Sequence, residues 1–412
     1  MSRPPLLSLD DALPQLLAHA QPLSGVESVS TFDADARVLA QDVVSALQVP
    51  PQDNSSMDGY AVRVADCALP GAVLRVTQRI PAGSHGAPLG VGEAARIFTG
   101  APIPAGADAV VMQEEVEVLG DDQVRIQAAV QSGQWIRRSG EDVSRGACVL
   151  ARGQRLTPAA LGLAASIGLA QLQVARRPRV ALFSTGDELV MPGDLAPEAM
   201  PPGAIYNSNR FFLRSLLQRL GCEVSDLGIV PDQREATLRA LQQAAQSHDL
   251  VLTSGGVSVG EEDHIKPAVQ ALGELNLWQL AIKPGKPFAY GHVRRADESA
   301  CHFMGLPGNP VSSLVTFLLL VRPFLLALQG ATQLEPVRQH LVAHFDWPRA
   351  DKRREFLRVR RNAHGGLDLF PNQSSGVLTS AVWGDGVVDN PAGRPIASGE
   401  TVSFISWAEW MA

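Results

Sequence analysis

The sequence predicts a multidomain protein of α/β plus β class: a central three-layer αβα domain with a mostly parallel sheet, an inserted small β domain and a C-terminal β domain. Three patterns carry this. From Arg179 to Leu328, strand-like and helix-like segments alternate strictly, and such alternation implies a parallel sheet covered by helices on both faces. From about Ser45 the texture is instead short β-rich runs broken by Pro and Gly, and β texture returns beyond Gly330.

In chain order, Ser8 with Asp11 has the form of a helix N-cap and its third-residue acid. Leu9, Leu13, Leu16 and Leu17 share a helical face, and Pro14 should kink that helix by removing a backbone donor. Short strands are expected over 72–76, 94–98, 109–112, 116–119 and 124–126. Thr157-Pro158 reads as an N-cap and first helical position for a helix over 159–167, stopped by Gly168. The helical segments flanking the β insert look like parts of one unit. The expected division is therefore 1–50 with 144–177 as one N-terminal domain, 51–143 as the insert, 178–328 as the α/β domain and 329–412 as the C-terminal domain. Within the α/β domain, strands are expected over 180–183, 223–230, 250–253, 277–282, 288–293 and 301–304. Helices are expected over 208–220, 233–246, 263–272 and 310–328.

Bulk composition narrows the function classes. A chain of 412 residues with 45% hydrophobic and 19% charged content is ordinary globular sequence, long enough for two to four cores. A net charge of −7 and a pI near 5.7 argue against a nucleic-acid surface. Cys67, Cys148, Cys222 and Cys301 are scattered without CxxC spacing, which suggests neither a disulfide framework nor a zinc knuckle and fits a reducing cytoplasm. The N-terminus does not read as a secretory signal, and the apolar run 314–328, interrupted by Arg322-Pro323, reads as a buried helix rather than a membrane span.

The chemistry is expected where apolar strands break into glycine-rich loops. Leu250–Thr253 runs into Ser254-Gly255-Gly256-Val257-Ser258-Val259-Gly260, followed by Glu261-Glu262-Asp263. Glycine is entropically costly to order, so such a loop needs a reason, and close approach of backbone N–H groups to an anion supplies one. Ser184-Thr185-Gly186-Asp187-Glu188 and Gly305-Leu306-Pro307-Gly308-Asn309-Pro310 follow strands in the same way, the position at which open α/β sheets collect ligands. Asp187, Glu188, Asp232 and Asp263 all lie just past strand ends, where their carboxylates could hold Mg²⁺ together with substrate phosphates. Asp232 read alone is equally a helix cap. Lys283-Pro284-Gly285-Lys286-Pro287 offers a stiff cationic clamp suited to phosphate or another oxyanion, or merely solvated surface lysines. The helix starting near Pro310 should aim its positive end at the same region. Asp53-Asn54-Ser55-Ser56-Met57-Asp58-Gly59-Tyr60-Ala61, Thr99-Gly100-Ala101-Pro102 and Arg137-Arg138-Ser139-Gly140-Glu141-Asp142 are each, taken singly, turns. Arg353, beside the Gln373-Ser374-Ser375-Gly376 turn, could reach an anionic ligand.

Taken together, 54–61, 99–102, 140–142, 184–188, 254–260, 283–287 and 305–310, in this order and spacing, resemble the molybdopterin molybdenumtransferases, bacterial enzymes similar to the E domain of gephyrin. The resemblance implies a cytoplasmic, elongated homodimer of four-domain subunits, with 1–50 and 144–177 as its linker and dimerisation domain and an active cleft shared between subunits. It implies adenylylated molybdopterin and molybdate as substrates, a divalent cation such as Mg²⁺, release of AMP and transfer of molybdenum to the dithiolene. Carried over by motif, Asp58, Thr99, Glu188, Asp232, Asp263, Lys283 and Lys286 would be catalytic. Asp187, Glu188, Asp232 and Asp263 would hold the metal. Ser184, Thr185, Gly186, Ser254, Gly255, Gly256, Ser258, Gly260, Pro307, Gly308, Asn309, Arg353 and Ser375 would bind the pterin substrate. Molybdopterin adenylyltransferase and molybdoenzyme chaperones or apoenzymes would be partners, with no nucleic acid and no membrane. A non-catalytic scaffold on the same fold is the alternative. Gln279 departs from the family pattern, which has Lys or Arg there, so a charge-assisted bond to an oxyanion would become a neutral one of about half the strength.

Overall fold

A computed structural model of the chain describes residues 6–120, 122–256 and 264–411. Its centre is a six-stranded sheet in the order Glu223–Val230, Arg179–Thr185, Leu250–Ser254, Ala300–Leu306, Pro287–Arg294, Gly273–Gln279. The first four strands run parallel, Pro287–Arg294 runs opposite to them, and the edge strand Gly273–Gln279 pairs antiparallel with it. Parallel strands buried on both faces read as continuous apolar runs, and Val180, Ala181, Leu182 and Phe183 are indeed fully buried. Alternate residues of that run feed two cores. Val180 and Leu182 face the helices Asn209–Arg219 and Pro310–Leu328, while Ala181 and Phe183 face Arg234–Ser247 and Ile265–Leu272. Each apolar side chain so buried contributes about 1.5–3 kcal/mol.

The Pro310–Leu328 helix is long and apolar enough to cross a membrane, but most of it is buried inside the protein. Arg322, which interrupts the apolar run, is buried too; its Nε donates to Trp410 O at 2.7 Å and its Nη1 to Leu334 O at 2.8 Å. A buried guanidinium is tolerable only when its donors are met, and the carbonyls of Leu334 and Trp410 meet two of them.

Satellite units surround this layer. Val26–Ser30 pairs with Gln171–Ala175, and Val43–Val44 with Cys148–Leu150, around a core that includes Leu39, Leu150, Ala164 and Val174. The helix Pro158–Ser166 packs there, its N-cap Thr157 accepting from Ala160 N, and Gly168 takes φ +85° at its end. The insert is a six-stranded sheet in the order 109–112, 59–62, 93–97, 73–80, 123–126, 116–120. The C-terminal sheet closes on itself through pairing of Arg354–Arg361 with Gly386–Asn390.

Two elements depart from the sequence reading. The first helix, Leu9–Leu17, capped by Ser8 as expected, buries Leu9, Ala12 and Leu16 in the α/β core rather than with residues 26–50. Its apolar face fits the groove beside Pro310–Leu328, which the periodicity could not specify. The strand expected over 277–282 is two: Gly273–Gln279 edges the α/β sheet, whereas Ile282–Lys283 crosses to pair with Arg354–Glu355 of the C-terminal sheet.

One buried ion pair anchors the α/β sheet to the linker before it. Asp249 accepts from Arg176 Nη1 at 2.7 Å, Arg176 Nη2 at 2.8 Å and Arg179 N at 2.8 Å. Burial by itself would raise the Asp249 carboxyl; the Arg176 fork and the Arg179 N–H outweigh it and hold the group below its ordinary value. Asp249→Asn is expected to cost roughly 2–4 kcal/mol at pH 7. Because the folded value is depressed, this contribution is present above the unfolded value near about 4 and is lost as pH falls through the folded one. Urea midpoints of wild type and variant should therefore differ at pH 7 and draw together from about pH 5 downward; a gap that stays constant over that range would remove the pair's role.

Candidate active site

The sheet order places a topological switch point between Arg179–Thr185 and its neighbours, since the chain leaves that strand first toward Glu223–Val230 and then toward Leu250–Ser254. Ligands bind outside the carboxyl ends of strands at such a point. A crevice of about 820 Å³ lies there, a volume suited to a substantial cofactor or substrate. Thr185, Gly186 and Glu188 line it from one loop, Asp232 from the next, and Ser254, Gly255 and Gly256 from a third. Pro307, Gly308, Asn309, Pro310 and Ser312 line it from the helix entrance, and Gly376 from the C-terminal domain. Register keeps these loops level: Ser184 pairs with Ser254, and Ser254 with Leu306.

The glycines are there for identifiable reasons. Gly255 has φ +93°, and a Cβ on it would sit 2.9 Å from Thr185 O; a Cβ on Gly256, at φ +67°, would meet the Thr185 hydroxyl and Ile265. Both keep the loop against its neighbour. Gly308 differs, because a Cβ there would meet only open space, so its bare backbone faces the crevice.

Sequence reasoning missed Asn207 and Asn209. Asn209 Nδ2 donates to Ser254 Oγ at 2.8 Å and to Gly308 O at 2.7 Å, tying two glycine loops together. Asn207 lines the crevice with its Oδ1 accepting from Arg210 N and its buried Nδ2 without a partner. The signal was the polar run Tyr206-Asn207-Ser208-Asn209, which resembles an ordinary helix cap.

Several expected site residues lie elsewhere in the single chain. Lys283 Nζ contacts the fully buried Glu355 at 3.1 Å and Asp351 at 3.4 Å instead of lining the crevice. The cause is the crossover: once Ile282–Lys283 joins the C-terminal sheet, the acids of residues 351 and 355 are its nearest partners. Arg353 is likewise engaged, donating to both Asp351 oxygens at 2.9 and 2.8 Å, and its fork holds the Asp351 carboxyl well below the usual range. Gly285, at φ +112°, packs against Thr316, so the clamp loop hugs the Pro310–Leu328 helix. Lys286 is half-buried beside the rim residue Pro287. Ser375 contributes its carbonyl to Val311 N at 2.9 Å. Asp187 is exposed and, among the described residues, does not line the crevice; Ser184 is buried beneath it with an unpartnered hydroxyl. Asp58 accepts from Thr99 N at 2.8 Å and from Thr99 Oγ1 at 2.9 Å on the exposed surface of the insert, bonds that hold its carboxyl below the ordinary value. Ser258, Gly260 and Asp263 lie outside the described residues.

As a cation site, the crevice wall offers Glu188 and Asp232, and among the described residues no group of three metal-ligating side chains is assembled. Two carboxylates fit the way Mg²⁺ is bound, through one or two protein acids completed by water and substrate phosphates. They do not fit an all-protein cage.

Fold and crevice together define a class: a doubly wound α/β ligand-binding protein with satellite β domains and its pocket at the switch point. Three family models match in succession: the MoeA N-terminal region (domain I and II) over residues 7–168, a "probable molybdopterin binding domain" over 181–327, and the MoeA C-terminal region (domain IV) over 340–407. A molybdopterin molybdenumtransferase of Haemophilus influenzae is 42% identical over 355 residues, covering 86% of this chain and 85% of that protein. One from Synechococcus elongatus is 37% identical, covering 97% and 100%. The crystal structure of the molybdopterin biosynthesis moeA protein from Pyrococcus horikoshii superposes with a TM-score of 0.81 at 28% identity, covering 98% of this chain and all of that one. The chain belongs to the molybdopterin molybdenumtransferase family, enzymes of molybdenum cofactor biosynthesis.

The two kinds of glycine predict opposite outcomes. Gly255→Ala should lower stability by about 1–3 kcal/mol through its left-handed backbone and the Thr185 carbonyl. Gly308→Leu should unfold within about 0.5 kcal/mol of wild type, as an exposed change does, while obstructing ligand entry. Denaturant titration and pterin binding on the two variants would show the contrast, and equal stability losses would contradict it.

Proposed function

We propose that this enzyme cleaves the AMP linkage of adenylylated molybdopterin and inserts molybdenum from molybdate into the dithiolene of the pterin. The observation that carries this reading is the meeting of three glycine-bearing loops with Glu188 and Asp232 around one crevice at the carboxyl rim of the sheet. Hydrolysis of a pyrophosphate linkage needs donors that fix the phosphates and compensation for charge developing on their oxygens. Backbone N–H groups of Gly186, Gly256, Gly308 and Asn309, with Asn207 Nδ2, would orient the phosphates. Glu188 and Asp232 would hold Mg²⁺, which when bound supplies charge neutralisation at the scissile phosphoryl oxygens. Asp263 would complete this acid set. Water adds to phosphorus, AMP departs, and the freed pterin dithiolene receives molybdenum as cargo; the sulfur ligands belong to the substrate, so the protein's buried cysteines stay out of the reaction.

The acting form in this proposal is a homodimer in the cytoplasm. Asp58 and Thr99, which do not line the crevice of their own chain, would serve the crevice of the second copy, and Lys283, Lys286 and Arg353 would flank the oxyanion from the C-terminal side. An adenylyltransferase would supply the substrate, and molybdoenzyme chaperones or apoenzymes would take the product.

Purified protein incubated with adenylylated molybdopterin, molybdate and Mg²⁺ should release AMP and yield metal-loaded pterin. Glu188→Ala should fold normally by circular dichroism and lose about 10²–10³-fold in AMP release. Uptake of the pterin without AMP release by the wild type would mark a scaffold instead. The shared cleft has its own test: Asp58→Ala and Glu188→Ala chains, each inactive alone, should recover roughly a quarter of wild-type activity when unfolded together and refolded as a statistical mixture, because half the dimers are mixed and each mixed dimer holds one intact cleft. No recovery in a verified mixed dimer would place Asp58 outside the neighbouring site.

A further inference from the structure

A second cleft, also about 820 Å³, lies far from the glycine loops, between residues 151–158 of the N-terminal unit, residues 322–337 and the chain end at 409–411. Arg155, Arg219 and Arg322 all line it. None of the three forms an ion pair among the described residues, and Glu335, which also lines the cleft, is taken by Arg338 at 2.9 Å. Asp35 and Glu409 also line the wall, so arginines and acids are equal in number there, though neither acid forms an ion pair with the arginines among the described residues.

The bonding of these guanidiniums is incomplete in a way that proteins rarely tolerate. Arg155 Nε donates to Ala36 O at 3.2 Å and Nη2 to Arg219 O at 2.9 Å, but its Nη1 is buried with no partner at all. Arg322 places two donors on carbonyls, which are neutral acceptors, and Glu409 opposes its charge only through space. Burial pushes the Arg322 guanidinium down to about 10, and the nearby positive charge of Arg155 pushes the same way, so the two like charges share one low-dielectric place. A buried, unpaired charge costs several kcal/mol unless a counter-charge arrives. Leu326, Val337 and Met411 form an apolar wall opposite.

We propose that this cleft is a second ligand site, taking a small phosphate or phosphate monoester whose oxygens accept from Arg155 Nη1 and Arg322 and whose short apolar body lies on Leu326 and Met411. Guanidinium donors match the planar pairs of oxygens on such a dianion. Residues 151–158 make one wall and the α/β layer with the chain end the others, so the occupied site would fasten these units together. Thr332 N already donates to Gly153 O across the same junction at 3.0 Å.

Equilibrium dialysis with inorganic phosphate and with phenyl phosphate tests the site on the full-length protein. Saturable binding is expected for wild type, with phenyl phosphate the tighter of the two, at least about tenfold weaker in Arg155→Met and unchanged in Glu188→Ala. Absence of saturable binding, equal binding by Arg155→Met, or loss in Glu188→Ala would each overturn the proposal. Should Arg155→Met fail to fold, wild type alone decides: phenylglyoxal modification of Arg155 and Arg219, mapped by mass spectrometry, should slow severalfold when phenyl phosphate is present. Unaltered modification rates at both positions would overturn it equally.

Discussion

Everything at the crevice depends on the parallel register around the Arg179–Thr185 strand. Its carboxyl end is level with Val230 on one side and with Ser254 on the other, and Ser254 is level with Leu306. Three loops therefore leave the sheet at one height, and the switch point holds them apart by the width of a ligand. Glycine at positions 255 and 256 lets one loop lie directly on Thr185, and Asn209 stitches that loop to Gly308. A slip of any strand by one residue would exchange buried and exposed faces and displace its loop at once. The bonding that makes the fold and the bonding that makes the pocket are the same bonding.

Two residues of chain carry the strand pairing between the α/β layer and the C-terminal sheet. Ile282–Lys283 leaves the first sheet and becomes an edge of the second, and the buried Glu355 draws together Lys283, Trp347 Nε1 and Asp351 N. This network holds the cationic loop on a rigid frame. Its ammonium and the Arg353 guanidinium are paired with acids of the C-terminal domain. Glu188, by contrast, lines the crevice as an exposed side chain. Charge is thus sorted between the two sheets: carboxylates at the rim, ammonium and guanidinium groups in the adjoining network.

The insert keeps its polar surface separate from that crevice. Asp58 and Thr99 sit on adjacent strand ends, brought together because Gly59 and Ile97 are paired in the same sheet. Gly59 has to be glycine, since a Cβ there would strike Val111 O. The pair is built by the fold of the insert alone.

Much of this was legible from the sequence by itself. Apolar runs of four residues ending in glycine and serine marked the strands and the loops at 184–188, 254–256 and 305–310, because burial on both faces and close backbone approach each leave a compositional trace. The cap at Ser8, the helix begun by Thr157-Pro158 and the β texture of the insert followed from equally local chemistry. Tertiary structure alone decided what depends on distant partners. It put the first helix against Pro310–Leu328, sent Lys283 to an acid 72 residues away, and turned an unremarkable asparagine at 209 into the tie between two loops. Local pattern specifies which face of an element is apolar and where a chain must bend; which apolar face it meets, and which charge finds which, are set only when whole surfaces compete for burial.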